Sequence, residues 1–173
     1  MALKPAVGEN DHVQGNEDAS VELVEYGDYE CPHCGRAYPI IKNIQEKMGD
    51  KLKFVFRNFP LAEIHPNAIT AAIATEAAAL QGKFWEMHDI VFEHQKSLSV
   101  ERLLDYAAEL GLDMHRFSKD FSDKQSLAKV EEDFESGIRS GVNGTPSFFI
   151  NGNKYEGDWS EEMLLEVLVE KTK

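Results

Sequence analysis

Two cysteines occur in the 173 residues, Cys31 and Cys34, with Pro32 and His33 between them. A chain stabilised by disulfides carries more cysteines at wider spacing, so this pair reads as one kept for chemistry. Its position gives the physical ground. A run of strand formers, Val21-Glu22-Leu23-Val24-Glu25-Tyr26, precedes it, and a helical stretch follows it to about Met48. At a helix start, unpaired backbone N–H groups and the helix dipole favour an anion. Cys31 is therefore expected to ionise readily to the thiolate, the nucleophilic form. Pro32 suits the first helical position because the N–H it lacks would go unpaired there. Cys31 is expected to attack a disulfide or accept a thiol, and Cys34, one turn further in, to resolve the mixed disulfide.

Neighbouring charges pull both ways. A protonated His33 would stabilise the thiolate; the alternative is a ring turned to solvent with little effect. Asp28 and Glu30 disfavour the anion, and Arg36 offsets them in part. The expectation is a Cys31 that is acidified, but less than a bare Cys-Pro-His-Cys site. A structural zinc site needs four N or S ligands, and only two cysteines exist. A static disulfide and a pair of ordinary thiols are the other bland readings. Glu25 lies on the apolar strand, where burial would raise its pKa and poise it to take the Cys34 proton; the alternative is a solvent-facing residue. His65, His88 and His94 read as surface or hydrogen-bonded core histidines. Phe84, Trp85 and Phe92 read as core, and some could line an apolar groove beside Cys31. No metal or organic cofactor is indicated, and no phosphate-binding glycine motif is found.

The elements that must position the pair can be read along the chain. Residues 1–19 form a polar leader with room for one short strand. After the first strand and the helix, which Gly49-Asp50 ends, 51–59 reads as a second strand stopped by Pro60. From about His65 to Ser140 the pattern is helical. Asn67 to Leu80 carries Ile69, Ile73, Ala77 and Leu80 at helical spacing, and Phe84 to Gln95 is a second helix. Ser99 caps a third, 113–121 is short, and Asp123 caps a longer one with Leu127, Val130, Phe134 and Ile138 in register. Strand character returns in Pro146-Ser147-Phe148-Phe149-Ile150, and Asn151-Gly152 turns it into a hairpin. Ser160 caps the last helix. A sheet interrupted by helices predicts an α/β core carrying a helical insertion: core 1–63, insertion 64–140, core 141–173.

Together these features resemble the thioredoxin superfamily and, within it, the DsbA-like thiol–disulfide oxidoreductases. The resemblance rests on Cys31-Pro32-His33-Cys34, on Gly144-Thr145-Pro146 followed by Ser147-Phe148-Phe149-Ile150-Asn151-Gly152, on Glu25 six residues before Cys31, and on Pro39 five after Cys34. It covers about residues 12–172. It implies a thioredoxin fold with an inserted all-helical domain, and a cis Pro146 packed on the two sulfurs. Sequence alone would not predict that isomer, since only about 5–6% of X-Pro bonds are cis. It also implies that Thr145 offers backbone groups to a substrate chain, and that Glu25 is the buried acid below the disulfide.

Composition bounds the partners. A net charge of −13, from 31 acidic and 18 basic residues, repels phosphate backbones, so no nucleic acid is expected. No apolar run reaches the about 20 residues of a membrane span. The first ten residues lack the apolar core of a signal peptide, which predicts a cytoplasmic chain, or a periplasmic one if a leader was trimmed. Two function classes stand: an enzyme exchanging disulfides with protein thiols, its direction open and its resetting redox partner unnamed, or a chaperone-like peptide-binding module with secondary redox activity.

Overall fold

A computed structural model describes residues 1–173. The chain forms strands β1 (His12–Gly15) and β2 (Val21–Gly27), helix α1 (Pro32–Met48) and strand β3 (Leu52–Asn58). Five helices follow, α2 (Ala68–Ala79), α3 (Phe84–Glu93), α4 (Val100–Glu109), α5 (Met114–Phe121) and α6 (Lys124–Arg139), then β4 (Ser147–Ile150), β5 (Asn153–Tyr155) and α7 (Glu161–Glu170). No helix is long and apolar enough to cross a membrane.

One sheet, in the order β1-β3-β2-β4-β5, organises the molecule. β2 and β3 run parallel, with Leu23 beside Phe54 and Glu25 beside Phe56. Parallel neighbours need a crossover, and α1 supplies it. β4 pairs antiparallel with β2, placing Phe148 opposite Glu25. The β4–β5 turn is tight because Asn151 and Gly152 both take positive φ, 46° and 77°, as a two-residue hairpin requires.

β2 is central and covered on both faces, so it is buried along its length apart from Glu22. Side chains alternate across a strand. Val21 and Leu23 join the larger core with Ile41 and Ile44 of α1 and Met87 of α3. Val24 and Tyr26 join a smaller one with Val55, Phe59 and Phe149. Phe84 and Phe92 are buried, and Phe92 packs against Tyr29 and Phe56 with ring centroids 4.8 and 6.1 Å away. They join the helical block to the sheet rather than lining an open groove beside Cys31.

Several expectations change in detail. In α2 the buried face is made of alanines: Ala71, Ala72, Ala74, Ala77 and Ala78 are covered, Ile69 and Ile73 are half-buried, and Leu80 is exposed. Small side chains let α3, α5 and α6 approach closely, which displaces the larger ones to the margin. On α6, Val130 is buried, Leu127 and Phe134 are half-buried, and Ile138 is 56% exposed. Its covered positions include Ser126, Asp133 and Ser136, because Asp133 accepts from the Asn58 backbone N–H and side-chain amide. Ser99, Asp113 and Asp123 cap their helices by side-chain hydrogen bonds. Ser160 does not; its backbone N–H donates instead to Asp158 at 2.7 Å.

The first residues are no loose leader. Leu3 is buried in the smaller core, and its N–H donates to the Gly152 carbonyl at 2.8 Å. Arg57, buried on β3, donates to Asp11 through Nε at 2.8 Å and Nη2 at 2.9 Å. Burial pushes the Asp11 carboxyl up, but Arg57, with the Gly8 N–H and the Lys129 charge, holds the group below its ordinary value. Removing one partner of a buried ion pair strands the other charge. Asp11→Ala is expected to destabilise the fold by about 3 kcal/mol in a urea titration; a loss below about 1 kcal/mol would show that the arm lies outside the cooperative unit.

Candidate active site

Cys31 is the N-cap of α1, in extended conformation at φ −69° and ψ 122°, with Pro32 at the first helical position. Its carbonyl accepts the first helical bond, from Gly35 N–H at 3.0 Å. A serine or aspartate at this position would cap the helix with its side chain; Cys31 makes no such bond. In its thiol form the Sγ instead donates to the Thr145 carbonyl at 3.6 Å, across from a cis Thr145–Pro146 peptide bond. Cys34, a turn further in, is fully buried, and the Asp28 N–H donates to its Sγ at 3.4 Å. Both thiols are free. No cluster of three His, Cys, Asp or Glu side chains is placed to hold a metal.

The two thiols are driven apart in acidity. Cys31 is lowered from 9.0 to about 5. The hydrogen bond from Cys34 does most of this against the opposing effect of burial, with further help from the Thr145 side chain and the backbone N–H groups of Cys34 and His33. Thr145 Oγ1 is buried and without a hydrogen-bond partner, which leaves it free for the sulfur. Cys34 is raised well above its ordinary value, by burial first and then by the Cys31 side chain and the charge on Glu25. One sulfur is made an anion and its neighbour is kept a thiol.

Glu25 is buried, 3% exposed, with Oε1 lacking any partner. Burial first, and the Cys31 charge second, push its carboxyl from 4.5 up to about 8. The solvent-facing alternative fails because β2 is covered on both sides. Glu22, on the other face, reaches the rim and pairs with Lys53 at 2.7 Å. Gly27, two residues on from Glu25, leaves the room this arrangement needs: a Cβ there would stand 2.5 Å from the Phe56 ring.

His33 is exposed, and its Nδ1 accepts from Arg36 at 2.7 Å. It reaches Cys31 through its backbone N–H. The acidic neighbours are turned away from the sulfur. Asp28 Oδ2 accepts from Leu61 N–H at 2.9 Å and pairs with His65 at 2.7 Å, while Glu30 accepts from the Asn67 backbone and side chain at 2.6 and 3.0 Å. Both carboxylates thus staple the 61–67 loop to the active-site turn. The other histidines are satisfied: His88 Nδ1 bonds the Tyr29 hydroxyl at 3.0 Å and His94 the Ile90 carbonyl at 2.9 Å. Sequence reasoning missed Gln95, whose Nε2 donates to the Tyr29 and Cys31 carbonyls at 3.0 and 2.7 Å. No sequence signal marks it, since it sits in a polar stretch after α3.

The family model described as Thioredoxin matches residues 8–170. The chain belongs to the thioredoxin family. It has the thioredoxin fold with a helical insertion, shared with DsbA-like structures. A thioredoxin-like oxidoreductase from Silicibacter pomeroyi superposes with a TM-score of 0.83 at 27% identity, covering 95% of this chain and 92% of that one. The thiol–disulfide exchange protein alpha-DsbA2 from Wolbachia pipientis gives 0.83 at 25%, covering 94% and 87%. BdbD from Bacillus subtilis gives 0.86 at 23%, covering 99% and 97%, a likeness of fold alone. Among curated sequences, the Na(+)/H(+) antiporter NhaA 1 of Mycolicibacterium vanbaalenii is 43% identical over 168 residues, and that of Salinispora arenicola 42% over 162. The chain spans about a quarter of the length of these relatives, 27% and 25%, so their names describe much longer proteins. Within the thioredoxin family the chain has the fold of thiol–disulfide oxidoreductases with Cys31 and Cys34 close together in it.

Two measurements check the electrostatics. Iodoacetamide alkylation against pH should place the Cys31 transition near 5, and Cys34→Ala should move it upward; a wild-type value at or above about 8.5, that of a free cysteine, refutes the acidification. For Glu25, the folded carboxyl keeps its proton to about 8 while an ordinary one loses it near 4.5. Folding therefore binds a proton in that window, and its contribution to stability is lost as pH rises through it. Glu25→Gln should stabilise the chain, by an amount that grows between these pH values, in urea midpoints taken across the range.

Proposed function

We propose that this chain exchanges disulfides with protein thiols, using Cys31 as the attacking or accepting sulfur and Cys34 as the resolving one. The observation that carries the reading is the opposed acidity of two neighbouring sulfurs above a proton-holding Glu25. In the direction of reduction, the Cys31 thiolate attacks a substrate disulfide, forming one S–S bond and releasing one substrate thiolate. Forming the mixed disulfide removes the Cys31 charge that helps keep Glu25 protonated. Glu25 in its ionised form then takes the Cys34 proton, and the Cys34 sulfur displaces the second substrate sulfur from Cys31, which closes the Cys31–Cys34 disulfide and releases the second substrate thiolate. In the direction of oxidation, a substrate thiolate attacks Cys31, Cys34 leaves and takes its proton from Glu25, and a second substrate thiolate displaces Cys31. A dithiol or disulfide protein must reset the pair after either turnover.

The acidity of Cys31 favours oxidation. Stabilising the thiolate stabilises the reduced form and makes the disulfide the stronger oxidant. An oxidant of this kind operates where disulfides persist, so the reading carries an oxidising compartment with it. Thr145 carries a backbone carbonyl beside the sulfur, where an extended substrate chain can pair with it. His33 tunes the site through its backbone N–H.

A groove of about 660 Å³ favours the peptide-binding reading as a second one. Leu61, Ile64, Phe134, Ile138 and Val142 line it, and Ile64 and Ile138 stand 68% and 56% exposed. The two readings separate in an insulin-reduction assay. Exchange chemistry predicts that Cys31→Ser abolishes turnover and that Cys34→Ser accumulates thiol-sensitive mixed disulfides on a non-reducing gel. Equal behaviour of wild type and Cys31→Ser leaves only the binding role. Equilibration with glutathione should place the pair above thioredoxin's about −270 mV.

A further inference from the structure

The start of α1 is held by a side chain that the redox cycle does not use. Gln95 follows α3 in the helical block and is half-buried. Its Nε2 donates at once to the Tyr29 carbonyl, at 3.0 Å, and to the Cys31 carbonyl, at 2.7 Å. The Cys31 carbonyl thus receives two donors, Gln95 and the Gly35 N–H at 3.0 Å. The same glutamine packs on Gly35 so closely that a Cβ there would lie 2.2 Å from Oε1 and 3.0 Å from Nε2. A side chain at position 35 would have to push the glutamine amide out of this pose.

Cys31 occupies the N-cap without a side-chain cap. Serine, threonine, aspartate or asparagine would both cap the helix and fix the entering turn. A sulfur that must leave its partners in order to exchange cannot do so. We propose that Gln95 is a positioning residue for Cys31, fixing from the helical block the backbone turn that a capping side chain would otherwise fix. This rests on the reading of Cys31 as the attacking thiolate.

The consequence for the sulfur follows from geometry. The backbone N–H groups of His33 and Cys34 help hold the Cys31 thiolate, and they are useful only while the peptide planes after Cys31 keep their orientation. Joining the Tyr29 and Cys31 carbonyls through one planar amide restrains that turn on both sides of Glu30. The amide also places its positive end against the carbonyl of the residue that carries the anion, which adds to the field favouring it.

Two substitutions test this by different routes. Gln95→Met keeps the length and bulk of the side chain and removes both donors. Gly35→Ala leaves the glutamine intact and drives a Cβ into its place. The readout is the Cys31 titration by iodoacetamide alkylation, with the thermal midpoint recorded beside it. Each variant is expected to raise the Cys31 transition by about half a pH unit or more, about threefold in the thiolate-to-thiol ratio. The double variant should move it no further than the larger single one, because both act on one contact. A Gln95→Met titration that coincides with wild type overturns the proposal, whatever happens to stability, and so do shifts that add in the double variant. Should Gln95→Met fail to fold, Gly35→Ala decides alone by the same criterion. Alkylation needs no exchange activity, so a shifted titration in a chain unable to turn over insulin would count against the proposed function and not against the clamp.

Discussion

One negative charge in a buried space governs this site. Cys31, Cys34 and Glu25 lie close enough to feel one another, and each is costly to ionise away from water. The backbone N–H groups at the head of α1, the Cys34 thiol and Thr145 converge on Cys31 alone, so the charge settles there. Cys34 and Glu25 are pushed the other way by burial and by that same charge. In the proposed exchange the anion passes from one sulfur to the other, and Glu25, with an unpartnered buried oxygen, is the group proposed to take up or return the proton.

The scaffold exists to make that charge distribution reproducible. β2 delivers Glu25 from below, α1 delivers both sulfurs, and the segment before β4 delivers the Thr145 carbonyl. Parallel pairing of β2 with β3 and antiparallel pairing with β4 lock the three together. The helical block is coupled to the site at several points. Tyr29 bonds His88, Glu30 bonds Asn67, and Gln95 bonds the turn itself. Carboxylates that would oppose the thiolate are spent on these attachments.

Much of this was legible in the sequence because it rests on local pattern. The spacing of Cys31 and Cys34, the strand before them, Pro32 inside the helix start and the Asn151-Gly152 turn all encode geometry within a few residues. Glu25 was legible in part: a carboxylate among apolar strand residues is costly to bury ionised, but Glu22 on the same strand left open which of the two faces inward. What escaped depends on contacts between distant segments. Asp28 and Glu30 look like electrostatic opponents of Cys31 until the 61–67 loop is seen to absorb them. His33 looks like the local cation, whereas its ring faces Arg36. The anchoring of residues 1–11 rests on Arg57 far along the chain, and the isoleucines of α2 lose the core to alanines because several helices crowd that face.

The order of the elements along the chain has a consequence for biosynthesis. β2, α1 and β3 are contiguous, and their contacts form over short loops. The segment bearing Thr145 and Pro146 arrives only after the whole helical block, and closing so long a loop adds an entropic cost that grows slowly with its length. Chains emerge from the ribosome N-terminus first. A nascent molecule therefore displays both thiols before the segment that carries Thr145 and Pro146 has been made, and any oxidant or chaperone nearby meets the pair in that unguarded interval.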